Sequence, residues 1–182
     1  METRAIRPID CPPQLLNAFI NMVEKGGEVP RANLVRGVPM AEMLFFTIDD
    51  DKQLMGVSAL RRPNAAYHRH LFEKAGIPEM YNPLSLEVCW LYVDPAFRGK
   101  NVWKHNSGTR LRYLGNRPAH AIHRVRNNKL NDFSNSKTVY ELVGQEFTPE
   151  MSETPVRLIV INHDKIFDPQ KRLYYGYPPA TL

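Results

Sequence analysis

Two periods alternate along this chain and mark out its elements. Leu15, Leu16, Phe19, Ile20 and Val23 recur at helical spacing within Gln14–Lys25, and Gly26 and Gly27 stop that helix. Before it, Ala5–Ile9 reads as a short strand closed by Pro8 and Asp10. Glu28–Met40 has prolines, arginines and no period, which predicts a surface loop. Met43–Ile48 and Leu54–Leu60, joined by the turn Asp49–Asp51, predict a hairpin. Ala65–Lys74 follows as a helix capped by Gly76. Leu86–Val93 is an apolar and aromatic run of the kind packed in a sheet interior, ended by Asp94 and Pro95. Val102–Leu114 is a weak helix, interrupted by Ser107 and Gly108, with Asn106 where an apolar residue belongs. Ala121–Val125 is a short strand, Asn127–Asn135 a polar loop, and Ser136–Val143 a helix ended by Gly144. Gln145–Phe147 reads as an edge strand and Val156–Asn162 as a buried one. Asp168–Leu182 is rich in Pro and Tyr, has no period, and reads as an extended tail.

This order predicts one mixed α/β domain over residues 1–167, with the tail over 168–182. The 182 residues are enough for a substantial core, and 43% hydrophobic with 24% charged residues is an ordinary globular balance. A net charge of +5 favours anionic partners. Cys11 and Cys89 stand far apart and make neither a disulfide framework nor a metal motif, which fits a reducing compartment. No apolar run is long enough to span a membrane, and the first twenty residues carry Glu2, Asp10 and prolines, unlike a secretory signal. The expected location is the cytoplasm.

The candidate chemistry centres on Ser85–Trp103, SLEVCWLYVDPAFRGKNVW. A buried strand runs into a short basic loop, Arg98-Gly99-Lys100, and then into a helix start near Asn101. Loop amides, the partial positive charge of a helix N-terminus and basic side chains together make a phosphate cradle.

The run LEVCWLYVDPAFRGK resembles the acetyl-CoA signature of the GNAT N-acetyltransferase superfamily, in which a strand ends in V-x-P before R-G-x-G-x-G/A. The segment SKTVYELVGQEF, Ser136–Phe147, resembles that superfamily's second signature, L-Y-E-x-x-G-F. The order of elements agrees over roughly Ile6 to Ile166. The resemblance implies a central, mostly antiparallel mixed sheet flanked by helices, with a splayed central strand at the cofactor site. It departs from the family at Asn101 and Trp103, which stand where the second and third loop glycines belong. Asparagine tolerates left-handed backbone geometry; tryptophan is a large residue where a small one normally lets pyrophosphate approach. A further departure is Phe133, at the family's asparagine position, flanked by Asn131 and Asn135.

What the resemblance implies is acetyl transfer from acetyl-CoA to an amine by direct attack in a ternary complex. An amine attacks only when neutral, so a base must take its proton. Glu87, the only acid between Leu84 and Val93, aligns with the strand glutamate that serves as base in some members. Tyr140 would protonate the departing thiolate, and the Val93 amide would polarise the thioester carbonyl. Tyr92, Val93, Arg98, Gly99, Lys100, Asn101, Val102, Trp103 and Asn135 are the expected cofactor contacts.

Other readings stand beside this one. Arg110, Arg112, Arg117, Arg124, Arg126 and Lys129, with His120 and His123, form the densest basic region. A nucleic-acid acceptor, an aminoacyl-tRNA or a DNA base, would use such a surface. A non-catalytic binding module with a degenerate cofactor loop is the third reading, motivated by Asn101 and Trp103. His68 and His70 lie two apart on a helix, on different faces, and make poor metal ligands; no metal is expected. A homodimer is compatible with the sequence, and a small molecule or a protein is the expected source of the amine.

Overall fold

The hairpin residues open a sheet that the rest of the chain extends. The computed structural model describes residues 1–124, 140–149 and 154–163. Strands β1 (Glu2–Ile6), β2 (Met43–Ile48), β3 (Leu54–Arg61), β4 (Leu86–Val93), β5 (Ala119–Arg124), β6 (Tyr140–Phe147) and β7 (Val156–Ile161) form a seven-stranded sheet. Its order is β1-β2-β3-β4-β5-β7-β6. Four helices accompany them: α1 (Pro13–Glu24), α2 (Arg31–Gly37), α3 (Ala65–Lys74) and α4 (Val102–Leu114). The mixed, mostly antiparallel sheet flanked by helices is the architecture the sequence predicts.

Two compact units divide the chain, one of residues 1–62 and 88–115, the other of residues 63–87 and 116–182. In the first, β1, β2 and β3 pair antiparallel, with Ile6 opposite Leu44 and Phe46 opposite Val57. Strand side chains alternate between faces, so β2 sends Leu44 and Phe46 one way and Phe45 and Thr47 the other. Leu44 and Phe46 pack with Phe19, Ile20 and Val23 of α1 and Leu34 of α2, where Phe19 meets Phe46 edge to face at 5.5 Å. On the opposite face Phe45 meets Tyr113 of α4 at 5.9 Å. A helix layer therefore covers each side of this half of the sheet.

The α4 helix is continuous, and its inward stripe is polar by design. Val102, Asn106, Ser107, Arg110 and Leu114 are its buried residues, spaced as one helical face. Asn106 accepts from the Ser58 hydroxyl and donates to Thr47 Oγ1 at 3.2 Å; Thr47 in turn shares a 2.9 Å hydrogen bond with Thr3. Arg110 donates to Ser58, Asn106 and Ser107 at 2.9, 3.2 and 3.1 Å. Buried polar groups are stable only when bonded, and here strand hydroxyls supply the acceptors. The weak amphipathic signal of this segment reflects that network rather than an interrupted helix.

In the second unit β5, β7 and β6 pair antiparallel, with Ala121 opposite Ile159 and Leu142 opposite Ile159 from the other side. Helix α3 lays Leu71, Phe72 and Ala75 on Val143, Leu158 and Val160. Gly144, at φ 68°, allows β6 to approach α3: a Cβ there would lie 2.5 Å from the Ala75 carbonyl oxygen. Gln145 N donates to that same oxygen at 2.9 Å.

Several expectations are corrected. The first strand is Glu2–Ile6 rather than Ala5–Ile9, because Pro8 opens a 3-10 turn. Residues 31–37, read as loop, form α2, entered through Pro30 and burying only Leu34. Residues 140–143, read as the end of a helix, belong to strand β6, which pairs along β7. The predicted loop 127–135, residues 136–139 and the tail lie outside the described residues. Asn106→Ala leaves Ser58, Thr47 and Arg110 short of partners. Urea unfolding should show a loss of about 2–3 kcal/mol.

Candidate functional site

Strand β4 carries the site residues, and its geometry changes along its length. Its parallel pairing with β5 consists of Leu86 opposite Ala119 and Glu87 opposite His120. Trp90 then takes φ 54°, a left-handed conformation rare for a bulky residue inside a strand. Its ring packs edge to face on Phe19 at 6.2 Å, under Arg61 at 5.3 Å. Gly37 makes room, since a Cβ there would come within 3.1 Å of that ring.

Past the strand, Asp94 organises the loop. Its N–H donates to Met55 O at 3.0 Å, its Oδ1 accepts from Ala96 N at 3.1 Å, and its Oδ2 accepts from Lys25 Nζ at 3.1 Å. The Ala96 amide first, and Lys25 second, hold this carboxyl below its usual range. A 3-10 turn, Pro95–Phe97, leads to Arg98, then to Gly99 at φ 81° and Asn101 at φ 60°, ψ 18°, immediately before α4. Asn101 thus supplies the left-handed turn where the resemblance puts a second glycine.

A groove of about 470 Å³ lies at this corner, lined by Lys25, Gly26 and Glu28 after α1, by Leu91, Tyr92 and Val93 of β4, and by Pro95, Arg98 and Trp103. Four expected contacts, Tyr92, Val93, Arg98 and Trp103, are therefore brought together. The Trp103 ring forms part of the wall and stays 37% exposed. Gly99, Lys100 and Asn101 shape the turn without lining the groove. Val102 is buried at 2% exposure, its side chain turned to Gly56. Lys25, Gly26 and Glu28 were not legible as site residues. Their only mark in the sequence is the double glycine that ends the first helix.

Glu87 is buried at 4% exposure in the second unit, and accepts a 3.2 Å hydrogen bond from the Tyr67 hydroxyl. Tyr67 sits in the first turn of α3, which Asn64 caps by accepting from the amides of Ala66 and Tyr67. Sequence reasoning missed Tyr67 as a partner of Glu87; only the Asn64 cap signals where the helix starts. The rows across the sheet run Glu87–His120–Val160–Glu141 and Leu86–Ala119–Ile161–Tyr140. Adjacent rows face opposite sides. Glu87 and Tyr140 thus point to opposite faces, with two strands between them, and the fold does not bring the two catalytic candidates together. Asn135 lies outside the described residues.

The basic region is altered by burial. Arg110 belongs to the α4 network, and His120 and His123 are buried at 0% and 3% exposure. Arg126 and Lys129 lie outside the described residues. Among the described residues no cluster of His, Cys, Asp or Glu is arranged to hold a metal, and no helix is long and apolar enough to cross a membrane.

No family profile matches this chain, and no curated protein matches it in sequence. Solved structures do. An acyl-CoA N-acyltransferase from Pseudomonas aeruginosa superposes with a TM-score of 0.62 at 10% identity, over 88% of this chain and 98% of that one. A GNAT-family acetyltransferase from Streptococcus agalactiae gives 0.63 at 11% identity, over 87% and 94%. A point variant of the spermidine N-acetyltransferase of Vibrio cholerae gives 0.58 at 17% identity, over 93% and 99%. The fold is that of the GNAT acyltransferases. The helix that begins after the basic loop agrees with the first sequence signature, whereas the second, which implies a helix over Ser136–Phe147, is overturned where it is described: Tyr140–Phe147 is strand β6.

Two consequences are measurable. Asn101→Gly should leave stability within about 0.5 kcal/mol, while Asn101→Val, forced into left-handed geometry, should cost about 1–2 kcal/mol in chemical denaturation. Burial also pushes the His68 imidazole down to about 4. The folded state then binds fewer protons than the unfolded chain between roughly pH 4 and 6.5. Stability should be level in this respect above pH 6.5 and fall by up to about 1.4 kcal/mol per pH unit below it. His68→Phe should flatten that part of the curve in thermal unfolding followed against pH.

Proposed function

We propose that this protein is an acyl-CoA-dependent N-acyltransferase that acetylates an amine. The observation that carries this reading is the groove at the end of β4, beside a basic loop with two left-handed residues, in a GNAT fold. Its residues fit a nucleotide diphosphate thioester. Lys25 and Arg98 supply positive charge, and the left-handed turn at Gly99 and Asn101 gathers main-chain N–H groups near the start of α4. The Trp103 indole offers a flat apolar wall for the less polar parts of the ligand. Acetyl-CoA, as co-substrate, contributes the activated acyl group.

The residues of this chain do the rest. Glu87 takes the proton from the acceptor ammonium, which leaves a neutral amine able to attack. Tyr67, already bonded to Glu87, orients the carboxylate. The Val93 amide, at the groove end of β4, is the donor for the carbonyl oxygen on which negative charge develops. Tyr140 carries no role in this scheme, because its row faces away from Glu87; as the new C–N bond forms and the C–S bond breaks, CoA would leave as the thiolate and take its proton from solvent. The acceptor is a small-molecule amine. Spermidine is the first to try, since one fold neighbour is a spermidine N-acetyltransferase.

Acetyl-CoA at millimolar concentration should raise the melting temperature, and Arg98→Ala should weaken its binding about tenfold. Glu87→Gln should bind acetyl-CoA as the parent does, yet lose on the order of 100-fold or more in kcat. Absence of any stabilisation by acetyl-CoA would overturn the assignment.

A further inference from the structure

One ion pair ties the end of α1 to the exit of β4. Lys25 is the residue after α1, and its ammonium donates to Asp94 Oδ2 at 3.1 Å. The Lys25 side chain is 57% exposed and that of Asp94 20%. Asp94 is fixed by two further bonds: its own N–H donates to Met55 O at 3.0 Å, and its Oδ1 accepts from Ala96 N at 3.1 Å. The turn that follows Lys25 lies close against β4, since a Cβ on Gly26 would come 3.1 Å from the Tyr92 ring. Lys25, Gly26, Tyr92 and Arg98 all line the groove.

Three basic side chains at this corner are held differently. Lys100 sets its ammonium over the Phe97 ring at 5.1 Å. Arg98 lines the groove from the loop and acts on Asp94 only through its charge. Of the three, Lys25 is the one bonded to an acid that is itself fixed. An ion pair this exposed adds little to stability. Its effect on a ligand is another matter. A free lysine gives up the freedom of its long stem to meet a phosphate, and an ammonium already held has given up most of it. An ammonium has three N–H donors, and Asp94 takes one, which leaves two for a ligand. Asp94 also brings negative charge beside an anion site, and that charge by itself opposes binding. Positioning and bare electrostatics therefore differ in sign, and one substitution separates them.

We infer that Asp94 is a positioning residue for the phosphorylated end of the acyl donor: it presents the Lys25 ammonium to the groove and locks the wall after α1 to the wall after β4. This rests on the groove being the acyl-CoA site. The carboxyl is kept ionised for the task, held below its usual range by the Ala96 amide first and by Lys25 second. The Ala96 bond needs only an oxygen, whereas the Lys25 bond draws on the charge. Asp94→Asn therefore keeps the turn and loosens the lysine.

The test measures acetyl-CoA binding by calorimetry, at one salt concentration, in the full-length protein and in Asp94→Asn, Lys25→Met and the double variant. Lys25→Met keeps the stem and removes the ammonium. Each single variant should bind about tenfold more weakly, and the double variant should match Lys25→Met within about twofold, the sign that Asp94 acts through Lys25. Melting temperatures should stay within about 3 °C of the parent, as expected of an exposed pair. A larger fall in Asp94→Asn would make Asp94 a residue of the fold and overturn the inference. Binding by Asp94→Asn as tight as the parent's, or tighter, would do the same. So would losses that multiply to about 100-fold in the double variant, because Asp94 would then serve the loop and not the lysine. A parent protein that binds no acetyl-CoA would remove the groove assignment itself, and this role with it.

Discussion

The parallel ladder between β4 and β5 lasts for two residues, and much else depends on how short it is. Leu86 and Glu87 are tied to Ala119 and His120, and further along β4 Trp90 takes a left-handed conformation. A strand that kept pairing would spend its amides on its neighbour. Beyond those two residues the path of β4 is fixed by side chains. Phe19, Gly37 and Arg61 fix it at Trp90, and Asp94 fixes it at the exit.

The loop after β4 is cationic, with Lys25 and Arg98 at the groove and a helix start beside them. At the start of β4, Glu87 is a buried acid beside the Tyr67 hydroxyl.

Much of this was legible in the sequence, and the exceptions have physical causes. Ala65–Lys74 and Leu86–Val93 were bounded correctly because local signals, a run of period and a proline stop, agree with the tertiary fold. Residues 31–37 hid their helix because a single buried side chain, Leu34, leaves no period to detect. Tyr140–Val143 looked helical because Val139, Tyr140 and Val143 mimic a helical stripe, whereas the actual partner is β7, whose pairing no local pattern encodes. Asn101 was read correctly from its tolerance of positive φ. Tyr67 was unreadable as the partner of Glu87, and His120 and His163 as partners of Ser85, since sequence spacing carries no information about which side chains meet across a sheet.

The polar underside of α4 has a consequence for how sharply this helix is set. An apolar stripe tolerates rotation by part of a turn, because greasy surfaces slide at modest cost. Asn106 and Arg110 do not: turned by one residue, the guanidinium would leave Ser58 and sit buried among hydrocarbon. The helix is keyed to the strands like a bit in a lock, and its first turn, the one that opens onto the groove, inherits that single angular setting.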